Sequence, residues 1–150
     1  MVFSPNVLVA YTHNVSDGGI RVHKLPKPGE TVRALACGNG IDAAKGTNVV
    51  VAASRVGACV ALIAHVPKGD WFFRAKEILE TEKIDDRFVV RDDNLQKHAG
   101  CILIDDEGNN MIVLGSNSRQ SITVQEADCA LESYAQALYC ITGYELDPES

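Results

Sequence analysis

Two short, unbroken apolar runs limit this chain more than any other feature. They are Asn6-Val7-Leu8-Val9-Ala10-Tyr11 and Cys59-Val60-Ala61-Leu62-Ile63-Ala64. Each is too uniformly apolar for a half-exposed strand and suits a strand covered on both faces. Between them lies Val49 to Val56, apolar nearly all round, which predicts a buried helix ended by Gly57. A strand, a buried helix and a second strand make a βαβ unit, which dictates a parallel sheet. At 150 residues the chain has room for one domain with a proper core.

The helix is entered from Ile41-Asp42-Ala43-Ala44-Lys45-Gly46-Thr47-Asn48. Small and polar residues feeding a helix N-terminus aim backbone N–H groups at a small ligand. The polar loop after the first strand, Thr12 to Gly19, falls where open α/β sheets place their ligands. On spacing alone, Asp17 in that loop reads first as a turn aspartate beside Gly18-Gly19 and second as a ligand residue.

The remaining segments read as follows. Ile20–Leu25 and Thr31–Cys37 alternate apolar and polar about Pro26-Lys27-Pro28-Gly29-Glu30. That predicts a strand pair standing off the main sheet, wet on one side. Asp70 can cap a helix whose shared face carries Trp71, Ala75, Ile78 and Leu79. Trp71-Phe72-Phe73 lacks interleaved basic residues and reads as packing rather than as a base-stacking platform. Phe88-Val89-Val90 is a short strand. Ala99–Ile104 and Met111–Leu114 flank an acidic, Gly-containing turn and predict a hairpin. The turn lacks the ligand spacing of a calcium loop. Thr123-x-x-Glu126 is a capping box opening a helix with the stripe Val124, Ala127, Leu131, Tyr134 and Leu138. Leu138–Thr142 is a last apolar strand.

Charge and cysteine usage exclude several classes. The formal net charge is −6 and Lys and Arg never cluster, which argues against nucleic acid as a partner. No apolar run approaches bilayer-spanning length, so no membrane contact is expected. Met1-Val2-Phe3-Ser4-Pro5 shows no signal-peptide pattern. The five cysteines are odd in number and have no C-x-x-C spacing. They read as reduced thiols of a cytoplasmic protein, not as a disulfide framework or a metal site.

Several stretches, in order, carry a family resemblance. The first strand ends in an Asn/Asp loop, followed by Leu25-Pro26-Lys27-Pro28-Gly29-Glu30-Thr31-Val32. Lys45-Gly46-x-Asn48 and Val51-Ala52-Ala53-Ser54-Arg55-Val56-Gly57-Ala58 come next, then Asp106-Glu107-Gly108, Gly115-Ser116-Asn117 and Glu145. Together these resemble the N-terminal half of a ribokinase-like carbohydrate kinase, in the ribokinase subgroup. The resemblance implies an α/β, three-layer ribokinase-like (Rossmann-like) half-domain over 1–150. A small β lid would be built from segments about 19–40 and 98–115.

The same resemblance implies a small sugar as ligand. It matches Asp17 to an aspartate that binds sugar hydroxyls, Asn48 to a sugar-binding asparagine and Glu145 to a glutamate near the sugar. Ala43 and Ala44 stand where the family has Gly-Gly, whose backbone approaches the sugar. Carboxylates and amides suit hydroxyl ligands because they accept and donate with defined geometry. Three places depart from the family pattern. Ala43-Ala44 adds two Cβ atoms, Asn14 lies three residues before Asp17 rather than two, and Gly69-Asp70-Trp71-Phe72-Phe73 replaces Gly-Asp-Asp-x-x-Gly. Family members are roughly twice this length. Their second half carries the ATP site and the catalytic aspartate of a Gly-Ala-Gly-Asp motif.

No such motif occurs in these 150 residues. The resemblance therefore implies no catalytic residue here, no cofactor bound by this chain alone, and ATP and Mg only for a complete kinase. It implies a homodimer through the lid and an exposed sheet edge, or a complementary C-terminal half. The alternative expectation is a non-catalytic sugar-binding or oligomerising module.

Overall fold

The computed structural model describes residues 4–11, 15–16, 19–37, 42–67, 70–95, 101–113 and 122–143, without the side chains of 15, 16, 42, 43, 70 and 71. In chain order the elements begin with β1 (Val7–Ala10), β2 (Val15–Ser16), β3 (Ile20–Arg21), β4 (Ala36–Cys37), β5 (Asp42–Ala43) and α1 (Lys45–Arg55). Then follow β6 (Val60–Pro67), α2 (Asp70–Thr81), β7 (Asp85–Asp92), β8 (Cys101–Ile104), β9 (Asn110–Val113), α3 (Val124–Ser133) and β10 (Tyr139–Thr142). The chain divides into two compact units, 1–14 with 43–97 and 119–150, and 15–42 with 98–118.

The first unit is built on a parallel sheet in the order β10-β1-β6-β7. β1 is central, with Val7 opposite Tyr139 on one side and Val60 on the other. The two unbroken apolar runs thus become neighbouring strands, as their composition predicts. On one face Leu8, Ala61 and Ile63 form a cluster with Ile122, Ala130 and Tyr134 around α3. The opposite face carries Val9, Val60, Leu62, Ala64 and Val66, all buried, and α1 and α2 both pack on β6. Full burial of Leu8, Leu62 and Leu79 contributes about 1.5–3 kcal/mol each.

α1 forms where expected but is not buried all round. Only Gly46, Thr47 and Val50 are buried, and Val56 is 86% exposed. A helix lying on one face of a sheet offers the core one stripe, whatever the hydropathy of its other sides. Its end follows from backbone geometry. Gly57 sits at φ +94, with its N–H donating to the Ser54 carbonyl and the Ala58 N–H to the Ala53 carbonyl. That left-handed position favours glycine. α1 and α2 are tied by Ser54 Oγ donating to the Glu82 carbonyl at 2.7 Å and by an Arg55–Glu82 ion pair. On α2, Ala75 and Leu79 are buried as their spacing predicts.

α3 carries the capping box in full. Glu126 N–H donates to Thr123 Oγ1, and Thr123 N–H donates to Glu126 Oε2 at 2.8 Å. Its buried stripe differs from the expected one. Ala130 and Tyr134 face the sheet, with Ala127 partly buried, whereas Val124, Leu131 and Leu138 are half or more exposed. Ala127 and Ala130 let the helix backbone approach the strands closely, and the ring of Tyr134 fills the space beyond the last turn. β10 continues from Leu138, which is 73% exposed, through Tyr139, which is 67% exposed, and is an edge strand as expected of it.

The second unit contains a four-stranded sheet in the order β4-β3-β8-β9. β8 and β9 form the predicted hairpin, with Cys101 opposite Val113 and Ile104 opposite Asn110. Its acidic turn is organised by Asp105, which is buried. The Asp105 carboxylate accepts from Glu107 N–H, Asn109 N–H and Asn109 Nδ2, and Gly108 takes φ +85. The Asn109 side chain first, and the turn amides after it, hold this carboxyl below its ordinary value. The strand pair expected over Ile20–Leu25 and Thr31–Cys37 shrinks to two residues each, Ile20 opposite Cys37 and Arg21 opposite Ala36. β2 and β5 make a separate two-stranded pair.

Candidate functional site

Topology singles out one edge of the first unit. From β1 the chain builds to one side through β6 and β7, then returns to place β10 on the other side of β1. The direction of construction reverses between β1 and β10. In open α/β sheets the crevice beyond the carboxyl ends of two such strands is where ligands bind.

The helices bring their N-termini to the same edge. Four residues separate the end of α1 from the start of β6, so the C-terminus of α1 lies at the amino edge of the sheet. Its eleven residues then carry its N-terminus back to the carboxyl edge, about 16 Å away. The same reasoning places the first turns of α2 and α3 there. Ala44 is the N-cap of α1, with φ −59 and ψ 162 and no side-chain cap. An alanine offers no acceptor to the first-turn N–H groups, and a helix N-terminus favours an oxygen-bearing ligand. Asn48, exposed on that first turn, donates its backbone N–H to the Ala44 carbonyl at 3.0 Å.

The other expected site residues are placed as follows. The backbone of Ala43 ends β5, and its side chain lies outside the described residues. Asp17 and Glu145 also lie outside them. Gly143, the first residue after β10, lies at the carboxyl edge.

Sequence reading missed a part-buried cluster of one histidine and two carboxylates at this edge. His65, near the end of β6, faces Asp92 through Nδ1 at 3.1 Å and Glu126 through Nε2 at 2.9 Å. The two carboxylates thus take one ring nitrogen each. Burial pushes the Asp92 carboxyl up, but the Asn94 amide and His65 outweigh it and hold it below its ordinary value. Glu126 behaves alike, with burial opposed by the Thr123 amide and hydroxyl and by His65. No local pattern signals this cluster, because its members come from β6, β7 and α3. The two carboxylates sit on opposite sides of the ring and do not converge on one point. Among the described residues no group of three or more His, Cys, Asp or Glu side chains can hold a metal ion. No described helix is long and apolar enough to cross a membrane.

A second arrangement, around the buried Tyr134, lies on the α3 face. Arg87 packs over the Tyr134 ring at 4.8 Å and pairs with Asp85 at 2.7 Å. Burial, then the nearby Asp85 charge, pushes the Tyr134 hydroxyl up to about 12.

Comparison with known proteins gives three concordant results. The model of the pfkB family carbohydrate kinases matches residues 41–146. A curated mouse (Mus musculus) ribokinase is 26% identical over 125 residues, covering 83% of this chain and 38% of its own length. Among solved structures, ribokinase from Giardia lamblia superposes with TM-score 0.75 at 14% identity, covering 97% of this chain and 47% of that one. Arabidopsis thaliana ribokinase complexed with ribose and ATP superposes with TM-score 0.67 at 18% identity, covering 96% and 46%. The chain therefore spans less than half the length of each of these relatives.

Proposed function

Because this chain belongs to the pfkB family of carbohydrate kinases, we propose that these 150 residues form the sugar-recognising part of a ribokinase-type kinase. The observation that carries this reading is the reversal of sheet construction between β1 and β10, with the N-cap of α1, Ala44, which makes no side-chain cap hydrogen bond, on the same edge. Such an edge presents N–H donors to a ligand rich in hydroxyl oxygens. In this reading Asp17, Asn48 and Glu145 bind sugar hydroxyls and the backbone at Ala43 and Ala44 approaches the ring. The two alanine Cβ atoms narrow the approach and select among sugars. The second sheet serves as a lid.

Phosphoryl transfer needs a base on the attacking hydroxyl and donors around the migrating phosphate. We assign neither role to a described residue, and we assign ATP and Mg no ligands among them. The proposal is therefore sugar binding without turnover by these 150 residues alone, in the cytoplasm, with ATP-dependent transfer requiring a complementary C-terminal half. Calorimetric titration with ribose and a panel of pentoses and hexoses tests the first part. A coupled ATP-consumption assay on the same chain tests the second. Binding at micromolar affinity without turnover is expected; substantial turnover by the purified chain would overturn the second part.

A second reading rests on the exposed edge strand β10, where Leu138, Tyr139 and Ile141 are uncovered. Such an edge invites pairing with another chain. In that reading the chain is a non-catalytic, oligomerising module that forms a homodimer through this edge and the second sheet. A stable monomer at micromolar concentration in sedimentation velocity, together with sugar binding, would favour the first reading over this one.

A further inference from the structure

At the mouth of the β1–β10 crevice one aromatic ring and one glycine are in intimate contact. Tyr11 is the first residue past β1, and its N–H donates to the Ile63 carbonyl at 3.3 Å. Gly143 is the first residue past β10. A Cβ built on Gly143 would stand 2.1 Å from Tyr11 Cε2, 2.2 Å from its hydroxyl oxygen and 2.3 Å from Cζ. The hydroxyl end of the ring therefore reaches from the central strand across to the edge strand and rests on the Gly143 backbone. No side chain larger than hydrogen fits at 143 while the ring stays there. Both residues are only partly buried, so the ring is not a core plug. The sequence gives each residue a trivial reading alone, a strand-end tyrosine and a loop glycine; only the parallel pairing of β1 with β10 makes them partners.

We propose that Tyr11, seated on Gly143, is a specificity-determining residue of the crevice, its ring forming an apolar wall against which the C–H face of a sugar packs. The inference rests on the sugar-side reading above. It adds a contact that none of the hydroxyl-binding residues supplies. A monosaccharide has an apolar face as well as a polar rim, and a site made only of carboxylates and amides leaves that face against water. A half-exposed aromatic at a ligand crevice supplies the missing surface and offers its hydroxyl at the rim. Gly143 acts as the positioning residue, because it alone leaves room for the ring in this orientation.

The test is calorimetric titration of the full chain and four variants with ribose and the same sugar panel. Tyr11→Ala is expected to weaken sugar binding about fivefold or more, the scale of one lost aromatic packing contact. Gly143→Ala is expected to do the same by displacing the ring. The double variant is expected to match Tyr11→Ala, because the new Cβ then has nothing to strike. Tyr11→Phe keeps the wall and is expected to stay within about threefold of the wild type. It also guards against misfolding of the truncated variants, since the Tyr11 ring resonances, identified by their loss in this variant, are expected to shift on ribose addition to the wild type. Unchanged sugar affinity in both Tyr11→Ala and Gly143→Ala, with the wild type binding normally, would overturn the wall while leaving the sugar-side reading standing. Failure of the wild type to bind any sugar would overturn both.

Discussion

Replacing Glu126 by alanine removes three interactions at once, and the structure sets the size of the loss. Glu126 Oε2 accepts from Thr123 N–H and from Thr123 Oγ1, both at 2.8 Å. Loss of a cap of this kind costs about 1 kcal/mol. Glu126 Oε1 faces His65 Nε2 at 2.9 Å, where the imidazole is 13% exposed. Losing a charge-assisted hydrogen bond to a group that shielded costs about 1.5–3 kcal/mol. The two losses share one side chain and are not fully additive, so the expected destabilisation is about 2–4 kcal/mol at pH 7. Glu126→Gln retains an acceptor for the capping box but offers one amide where two acceptor oxygens stood, and is expected to fall between.

The assay is urea unfolding followed by circular dichroism, repeated between pH 3 and pH 7. The sign of the pH effect follows from the direction of the shifts. Asp92 and Glu126 both ionise below their ordinary values in the folded chain. Their contribution is full above the unfolded carboxylate range, about pH 4, and fades as pH falls through the folded values. The gap between wild type and Glu126→Ala is therefore expected to narrow in acid. A loss below about 0.5 kcal/mol at pH 7, the scatter of ordinary surface substitutions, would refute the reasoning.

Two other outcomes are expected. Tyr134 ionises near 12 rather than 10, so its stabilising share is full below about pH 10 and is lost as pH rises through 12; Tyr134→Phe is expected to flatten that alkaline fall, and coincident stability curves for the two proteins would count against it. Ala44→Ser supplies the acceptor that the α1 N-cap lacks and is expected to raise the unfolding free energy by about 0.5–1 kcal/mol, while no gain would show that the first-turn N–H groups are already fully satisfied.

What could be read directly from the residues was the part governed by local pattern. The two apolar runs, the βαβ unit, the α1 stop at Gly57, the acidic hairpin and the Thr123–Glu126 capping box each depend on neighbours within a few positions, and all are present. Errors arose where size stood in for geometry. Val124 and Leu131 looked like the buried side of α3, yet Ala130 makes the contact because it lets the helix settle on the sheet. The apolar α1 sequence suggests burial on all sides, but its buried positions Gly46, Thr47 and Val50 form one stripe. The strands flanking Pro26 and Pro28 were read too long, since alternation persists where the ladder does not. The loop-to-helix corner at Ala44 and Asn48 was legible as local structure. His65 with its two carboxylates and Tyr11 with Gly143 were illegible, because each grouping is assembled by strand order rather than by sequence spacing.

The placement of β1 also fixes when the sheet can be completed during synthesis. β1 leaves the ribosome some fifty residues before its partner on one side, β6. Its partner on the other side, β10, arrives about 130 residues after it. Throughout that interval one row of β1 peptide groups has no strand to bond. Contacts this distant in sequence form slowly, and an open apolar strand is a template for other nascent chains. A ribosome stalled between Thr81 and Tyr139 would hold out a half-built sheet with one side of β1 bare, and the four residues of β10 move the open edge from β1 to themselves.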